Sequence, residues 1–275
     1  MTGGAAKLHD LPPLREALAS AGLAARKSFG QHFLLDLNVT RKIARLAGPL
    51  DGETVVEVGP GPGGLTRALL EAGASVIAIE KDARFVPLLD DLAAHAEGRL
   101  TVVRADALML DAKAVPAGAP VVANLPYNVA TPLLVGWLTG AWRPRAMTLM
   151  FQKEVAQRIT AAPGSKDYGR LSVLAQALAD AKIVMELPAR AFTPPPKVDS
   201  AVVRLTPRSN RPPDALVEAL QRVTAAAFGQ RRKMLRSSLK PLGGEALCAA
   251  VGVDPAARAE DVSVAQYLAL AEQVE

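Results

Sequence analysis

Short apolar runs recur along the chain at Thr54–Val58, Ser75–Ile79, Leu100–Val103, Pro120–Ala123, Ala146–Phe151, Ile183–Leu187 and Ala201–Leu205. Each is too short for a helix and most are rich in Val and Ile, which predicts strands buried on both faces. Helices are expected between them, at Leu65–Glu71, Arg84–Ala96, Thr131–Leu138, Lys153–Thr160 and Arg170–Ala179. Another is expected from Leu37 to Ala47, where Ile43, Leu46 and Ala47 share one face. This alternation builds an α/β fold around a mostly parallel sheet covered on both sides. The last two strands break it, because only a segment containing Pro194-Pro195-Pro196 separates them. They are expected to pair antiparallel, as a hairpin at the sheet edge.

Beyond Leu205 the pattern changes. Pro207-Arg208-Ser209-Asn210-Arg211-Pro212-Pro213 reads as a linker, and no strand candidate follows it. Helices are expected at Asp214–Phe228, Met234–Leu239, Glu245–Val251 and Val264–Val274. The chain should therefore divide into an α/β domain over residues 1–206, with an N-terminal extension over 1–25, and a small all-helical domain over 207–275.

The formal net charge of +5 is modest but unevenly placed. Arg222, Arg231, Arg232, Lys233, Arg236 and Lys240 lie in a stretch, Ala219–Gly244, that holds no acid. The helical domain should thus present a basic face to a polyanion. A single cysteine, Cys248, excludes an internal disulfide framework and a Cys-rich zinc site, and His9, His32 and His95 lack metal-ligand spacing. No metal is expected. The uncharged run Ala114–Trp142 has the length of a membrane span, but four prolines and two asparagines within it argue against one. Lys7, Asp10, Arg15 and Glu16 interrupt any secretory apolar region. A cytoplasmic protein with no membrane role is expected, and nothing in the pattern demands more than a monomer.

Two segments carry the candidate chemistry. Asn124-Leu125-Pro126-Tyr127 follows the fourth strand, at the carboxyl end where open α/β sheets hold their ligands. The Asn124 side-chain oxygen and a neighbouring carbonyl can accept both N–H bonds of an exocyclic amine such as adenine N6. Pro126 stiffens the turn, and Tyr127 offers a ring on which a base can stack. The second segment, Glu57-Val58-Gly59-Pro60-Gly61-Pro62-Gly63-Gly64, follows the first strand and opens a helix. Its glycines let backbone approach a ligand closely, and Glu80, after the second strand, lies where an acid binds ribose hydroxyls. That much suits NAD as well as S-adenosylmethionine. Asp106 after the third strand, placed to accept from an adenine amino group, and the tetrapeptide after the fourth both favour the methyl donor. The basic loop Arg26 to Leu34 lies just before the first helix and could close over the donor.

Taken together these segments resemble the ribosomal RNA adenine dimethyltransferase family, in its bacterial 16S branch. The resemblance runs from about Arg26 onward and includes Gln152-Lys153-Glu154-Val155, Tyr168-Gly169-Arg170-Leu171-Ser172-Val173, Phe192-Thr193-Pro194-Pro195-Pro196-Lys197-Val198-Asp199-Ser200 and Gln230-Arg231-Arg232-Lys233. It implies a Rossmann-like S-adenosylmethionine-dependent methyltransferase that dimethylates N6 of two adjacent adenosines in the 3′-terminal hairpin of 16S rRNA, within the small ribosomal subunit. Donor contacts are implied at His32, Leu34, Gly59, Glu80, Asp106 and Asn124. Asn124, Leu125, Pro126 and Tyr127 would hold the target amine, with Tyr127 and Phe192 sandwiching the flipped base. Arg222, Arg231, Arg232, Lys233 and Arg236 would bind RNA. One residue departs from the family pattern: the usual Gly-Gln-Asn-Phe-Leu loop has His32 in place of the Asn, and a neutral imidazole is expected beside the donor. A 23S rRNA methyltransferase of the antibiotic-resistance type would share the sheet and donor loops. A non-catalytic ribosome assembly factor would share the basic helices.

Overall fold

A computed structural model of the protein describes residues 7–25, 30–230 and 232–274. Its elements run in the order α1 (Leu14–Ser20), β1 (Phe33–Leu34), α2 (Leu37–Leu46), β2 (Thr54–Val58), α3 (Gly64–Glu71), β3 (Ser75–Glu80), α4 (Val86–Ala94), β4 (Leu100–Arg104), β5 (Val121–Asn124) and α5 (Tyr127–Thr139). They continue with β6 (Met147–Gln152), α6 (Lys153–Thr160), α7 (Arg170–Leu178), β7 (Ala179–Leu187), β8 (Phe192–Thr193), β9 (Ser200–Pro207), α8 (Asp214–Gly229), α9 (Leu235–Ser238), α10 (Gly244–Ala250) and α11 (Val264–Glu272).

The apolar runs meet in one seven-stranded sheet of order β4-β3-β2-β5-β6-β9-β7. β2 to β6 are parallel, as their two-faced burial requires. Val55, Val56, Val76, Ala78, Val121, Val122 and Leu149 have almost no exposed surface. The strand order reverses where β2 lies between β3 and β5, and such a switch point leaves a crevice beyond the carboxyl ends of the strands. β9 and β7 do lie side by side at the edge, but β9 is inserted inside, antiparallel to β6, with Met150 opposite Val202. β7 starts directly where α7 ends and is longer than its apolar run suggests. A separate two-stranded ladder joins β1 to β8, pairing Leu34 with Phe192. No hydrophobic period announces it, because each strand has only two residues.

By its internal contacts the chain forms two compact units, Met1–Lys153 with Ile183–Leu205, and Glu154–Lys182 with Thr206–Glu275. In the second, α8 packs on α11 and α7. The rings of Tyr168, Phe228 and Tyr267 meet there at 6.2 and 5.7 Å. The two buried hydroxyls are satisfied by backbone carbonyls, Tyr168 donating to Val262 at 2.9 Å and Tyr267 to Ala259 at 2.8 Å. Burial pushes the Tyr168 phenol up to about 12.

Candidate active site

A cavity of about 210 Å³ opens at the switch point. Its floor is the loop between β2 and α3, where Gly59 and Gly61 have φ of +69° and +53°, the left-handed region that favours glycine. A Cβ at Gly59 would come within 3.3 Å of the Pro126 ring, and one at Gly61 within 3.1 Å of the Phe33 ring. The glycines therefore keep the β2–α3 loop close to both neighbouring segments.

Two glutamates line this floor in different polar surroundings. Glu57 is buried and accepts from the Thr66 hydroxyl at 2.6 Å. Burial first, and the Glu80 charge second, push its carboxyl up to about 8 against the Thr66 hydrogen bond. Burial also raises Glu80, but its oxygens accept from the Asp82 and Gly61 N–H groups at 2.7 and 2.9 Å, which draws it back. Two carboxylates this close, both raised by burial, disfavour each other's charged form. Asp106 stands at the far side, accepting from Lys81 Nζ at 2.8 Å and from the Leu108 N–H at 3.0 Å. The Lys81 hydrogen bond holds it below the usual carboxylate range.

Asn124 is the last residue of β5, and Tyr127 already the first of α5, so the tetrapeptide is a strand-to-helix turn. The expected helix start at Thr131 is four residues late, because Pro126 in front and Pro132 within mask the helical pattern. Asn124 Nδ2 donates to the His32 carbonyl at 3.1 Å, which leaves Oδ1 to accept. The Tyr127 hydroxyl lies 2.5 Å from Ser200 Oγ, and its ring stacks on His32 with centroids 5.5 Å apart. His32 Nδ1 is 2.8 Å from the Pro194 carbonyl, an acceptor only, so Nδ1 carries a proton. In the neutral ring, Nε2 then bears the lone pair.

A profile of the family described as ribosomal RNA adenine dimethylase matches residues 22–275. The chain belongs to this family. It is 68% identical to the ribosomal RNA small subunit methyltransferase A of Phenylobacterium zucineum, over 96% of this chain and 93% of that one. It is 58% identical to the protein of that name from Rhodospirillum rubrum, over 96% and 93%. Among solved structures, a dimethyladenosine transferase from Plasmodium falciparum superposes with a TM-score of 0.73 at 25% identity, covering 87% of this chain and 96% of that one. The 23S rRNA methyltransferase ErmE gives 0.68 at 29% identity, covering 88% and 99%.

The adenine dimethylase cavity brings together His32, Leu34, Gly59, Glu80, Asp106 and Asn124, together with Leu125, Pro126 and Tyr127. These residues suit a cationic sulfonium: glycine floor, excess acid and, among the described lining residues, no Lys or Arg other than the paired Lys81. Family membership, which the glycine floor alone does not give, sets the NAD reading aside. Phe192 stands apart. Its ring is 3% exposed in the core cluster that includes Leu34, Ile43 and Val202, and it does not line the cavity. It lies in the core rather than at the cavity wall because a ring with no polar atom is drawn inward when a strand is at hand to hold it.

In the second unit Arg232, Lys233 and Arg236 are exposed, while Arg222 donates to the Val274 carbonyl at 2.6 Å. Arg231 lies outside the described residues. Reading the sequence missed the group that holds the His32 segment. Gln31 Nε2 donates to Asp82 Oδ2 at 2.9 Å, and the Arg84 guanidinium binds the same carboxylate. Burial would raise Asp82, but Arg84 and Gln31 outweigh it and hold it at about 2. The only signal was an acid and a base two residues apart after β3.

Proposed function

We propose that this protein transfers methyl groups from S-adenosylmethionine to N6 of two adjacent adenosines in the 3′-terminal hairpin of 16S rRNA. The observation that carries this reading is 68% identity, over nearly the whole chain, to a relative named for the ribosomal small subunit. The substrate would be the RNA within that subunit, met by a cytoplasmic monomer whose α/β domain, residues 1–206, does the chemistry. Arg222, Arg231, Arg232, Lys233 and Arg236 of the helical domain would neutralise phosphates.

The donor would sit between the glycine floor and the Glu80 and Asp106 carboxylates, with His32, Leu34 and Asn124 around it. It supplies a methyl on a sulfonium, a good leaving group, so an in-line displacement needs positioning more than a strong base. Asn124 Oδ1 and the Leu125 carbonyl accept from the N6 amine and turn its lone pair toward the methyl. Pro126 limits the freedom of that carbonyl. Tyr127 provides the stacking face, and its hydroxyl and ring are already held by Ser200 and His32, so little order remains to be lost when a base arrives. Phe192 holds the Leu34 strand behind the cavity in this reading. The proton shed by the methylated nitrogen passes to water. After the first transfer one N–H is gone, and either acceptor can hold the remaining one.

Labelled S-adenosylmethionine, incubated with the protein and unmethylated small subunits, tests this. Dimethyladenosine recovered from the 3′ hairpin after digestion is the expected product. Label in large-subunit RNA, from a parallel incubation with large subunits, would move the reading to the 23S branch, which the ErmE likeness keeps as the second possibility. Tight subunit binding without label would make the protein an assembly factor.

A further inference from the structure

Among the described residues four large apolar side chains stand exposed: Leu108, Met109, Val198 and Met234. Three of the four belong to segments beside the cavity, which argues against chance scatter. Leu108 lines it. Met109 follows and is 83% exposed. Val198 stands two residues before Ser200, the partner of the Tyr127 hydroxyl.

The segment that presents Met109 is built rather than frayed. It is a 3-10 turn, Ala107–Met109, capped by the Asp106 side chain and closed by a 2.9 Å bond from the Met109 N–H to the Asp106 carbonyl. It packs against α5, the helix that Tyr127 begins. An unbranched thioether adapts its shape to irregular gaps, and leaving it in water costs apolar exposure that the fold does nothing to relieve. Exposed Arg104 and Lys113 flank the turn in sequence and can meet phosphates, while Lys81 is already paired with Asp106 and Asp111 is exposed nearby. Extruding a base leaves a gap in the stack it came from, and nucleic-acid-binding proteins fill such gaps with Leu, Met or Phe wedges.

We propose that Met109, supported by Leu108, is an apolar wedge that enters the RNA stack vacated by the extruded adenosine, with Val198 touching a flanking nucleotide. This rests on the adenine-N6 reading above.

The test uses reconstituted unmethylated subunits with 2-aminopurine at one target adenosine, read by its fluorescence on extrusion. Met109→Ala should bind S-adenosylhomocysteine as wild type does, yet lose the fluorescence rise and about ten-fold in kcat/KM on normal subunits, the scale of one lost stacking contact. On subunits carrying an abasic nucleotide beside the target, where little stack remains to be filled, that deficit should shrink to about two-fold or less. Unchanged fluorescence and kcat/KM in Met109→Ala would overturn the wedge, as would an equal deficit on the abasic RNA. A self-association of wild type that Met109→Lys abolishes would overturn it too, giving the patch to a second copy. Failure of wild type to methylate normal subunits would instead sink the underlying reading.

Discussion

Asn124, at the end of β5, donates from Nδ2 to the His32 carbonyl at 3.1 Å, across 92 residues of chain. One side chain therefore fixes the loop on the donor side and keeps its own oxygen for the target amine. Asn124→Ala removes both functions. Methylation should fall at least about a hundred-fold, the usual cost of losing a positioned polar group at a reacting centre. Stability should fall by only about 1 kcal/mol for the lost hydrogen bond. Single-turnover rates and urea midpoints on one preparation check both numbers, and equal losses in rate and folded fraction would mean the residue is merely structural.

The Tyr127 hydroxyl and Ser200 separate stacking from anchoring. Tyr127→Phe keeps the ring but strands Ser200 Oγ, so a loss of about 1–3 kcal/mol in stability is expected with a rate change of a few-fold. Tyr127→Ala deletes the stacking face, worth about 1–3 kcal/mol, and should lower kcat/KM about 5- to 150-fold by that amount. Ser200→Ala should track Tyr127→Phe; a deeper catalytic defect in Ser200→Ala would assign the serine a direct role.

Glu57 predicts how stability depends on pH. Its carboxyl titrates near 4.5 in an unfolded chain and at about 8 in the folded one. Between those values the native state holds more protons than the unfolded state, so this group's contribution shrinks as pH rises through that window and levels off above it. Glu57→Gln keeps an acceptor for Thr66 and cannot ionise. Its stability relative to wild type should therefore climb from about pH 5 to about pH 8 and then stay flat. Denaturant midpoints across that range decide the matter, and a constant difference would refute the buried neutral carboxyl.

His32 holds the Pro194 carbonyl through Nδ1, which leaves Nε2 as the ring atom free to face a donor. His32→Ala removes that anchor together with the ring stacked on Tyr127, so S-adenosylmethionine binding should weaken about 5- to 30-fold. His32→Asn, which keeps a polar side chain, should recover part of the loss. Calorimetric titration of the three proteins is the measure, and equal affinities would show that the imidazole stays clear of the donor.

Much of the fold is legible along the chain because burial leaves a local trace. The Val- and Ile-rich runs at Thr54–Val58 and Ser75–Ile79 become adjacent parallel strands, and the glycines after Val58 end β2 as the Asn124 tetrapeptide ends β5, where such sheets hold ligands. The place of the ligand cleft follows from that alone, and the family resemblance of the motifs supplies the class of chemistry. Tertiary structure decided which segments meet. Strand periodicity reports which faces are buried but not which strand is the neighbour, so nothing in Ala201–Leu205 says that β9 slips between β6 and β7. Two-residue strands have no period at all, which is why the pairing of Leu34 with Phe192, and with it the burial of that ring, emerges only in the folded chain. The same holds for Gln31, Asp82 and Arg84, and for the bond between Asn124 and His32. A polar side chain carries no mark of a partner dozens of residues away until folding has closed the loop between them.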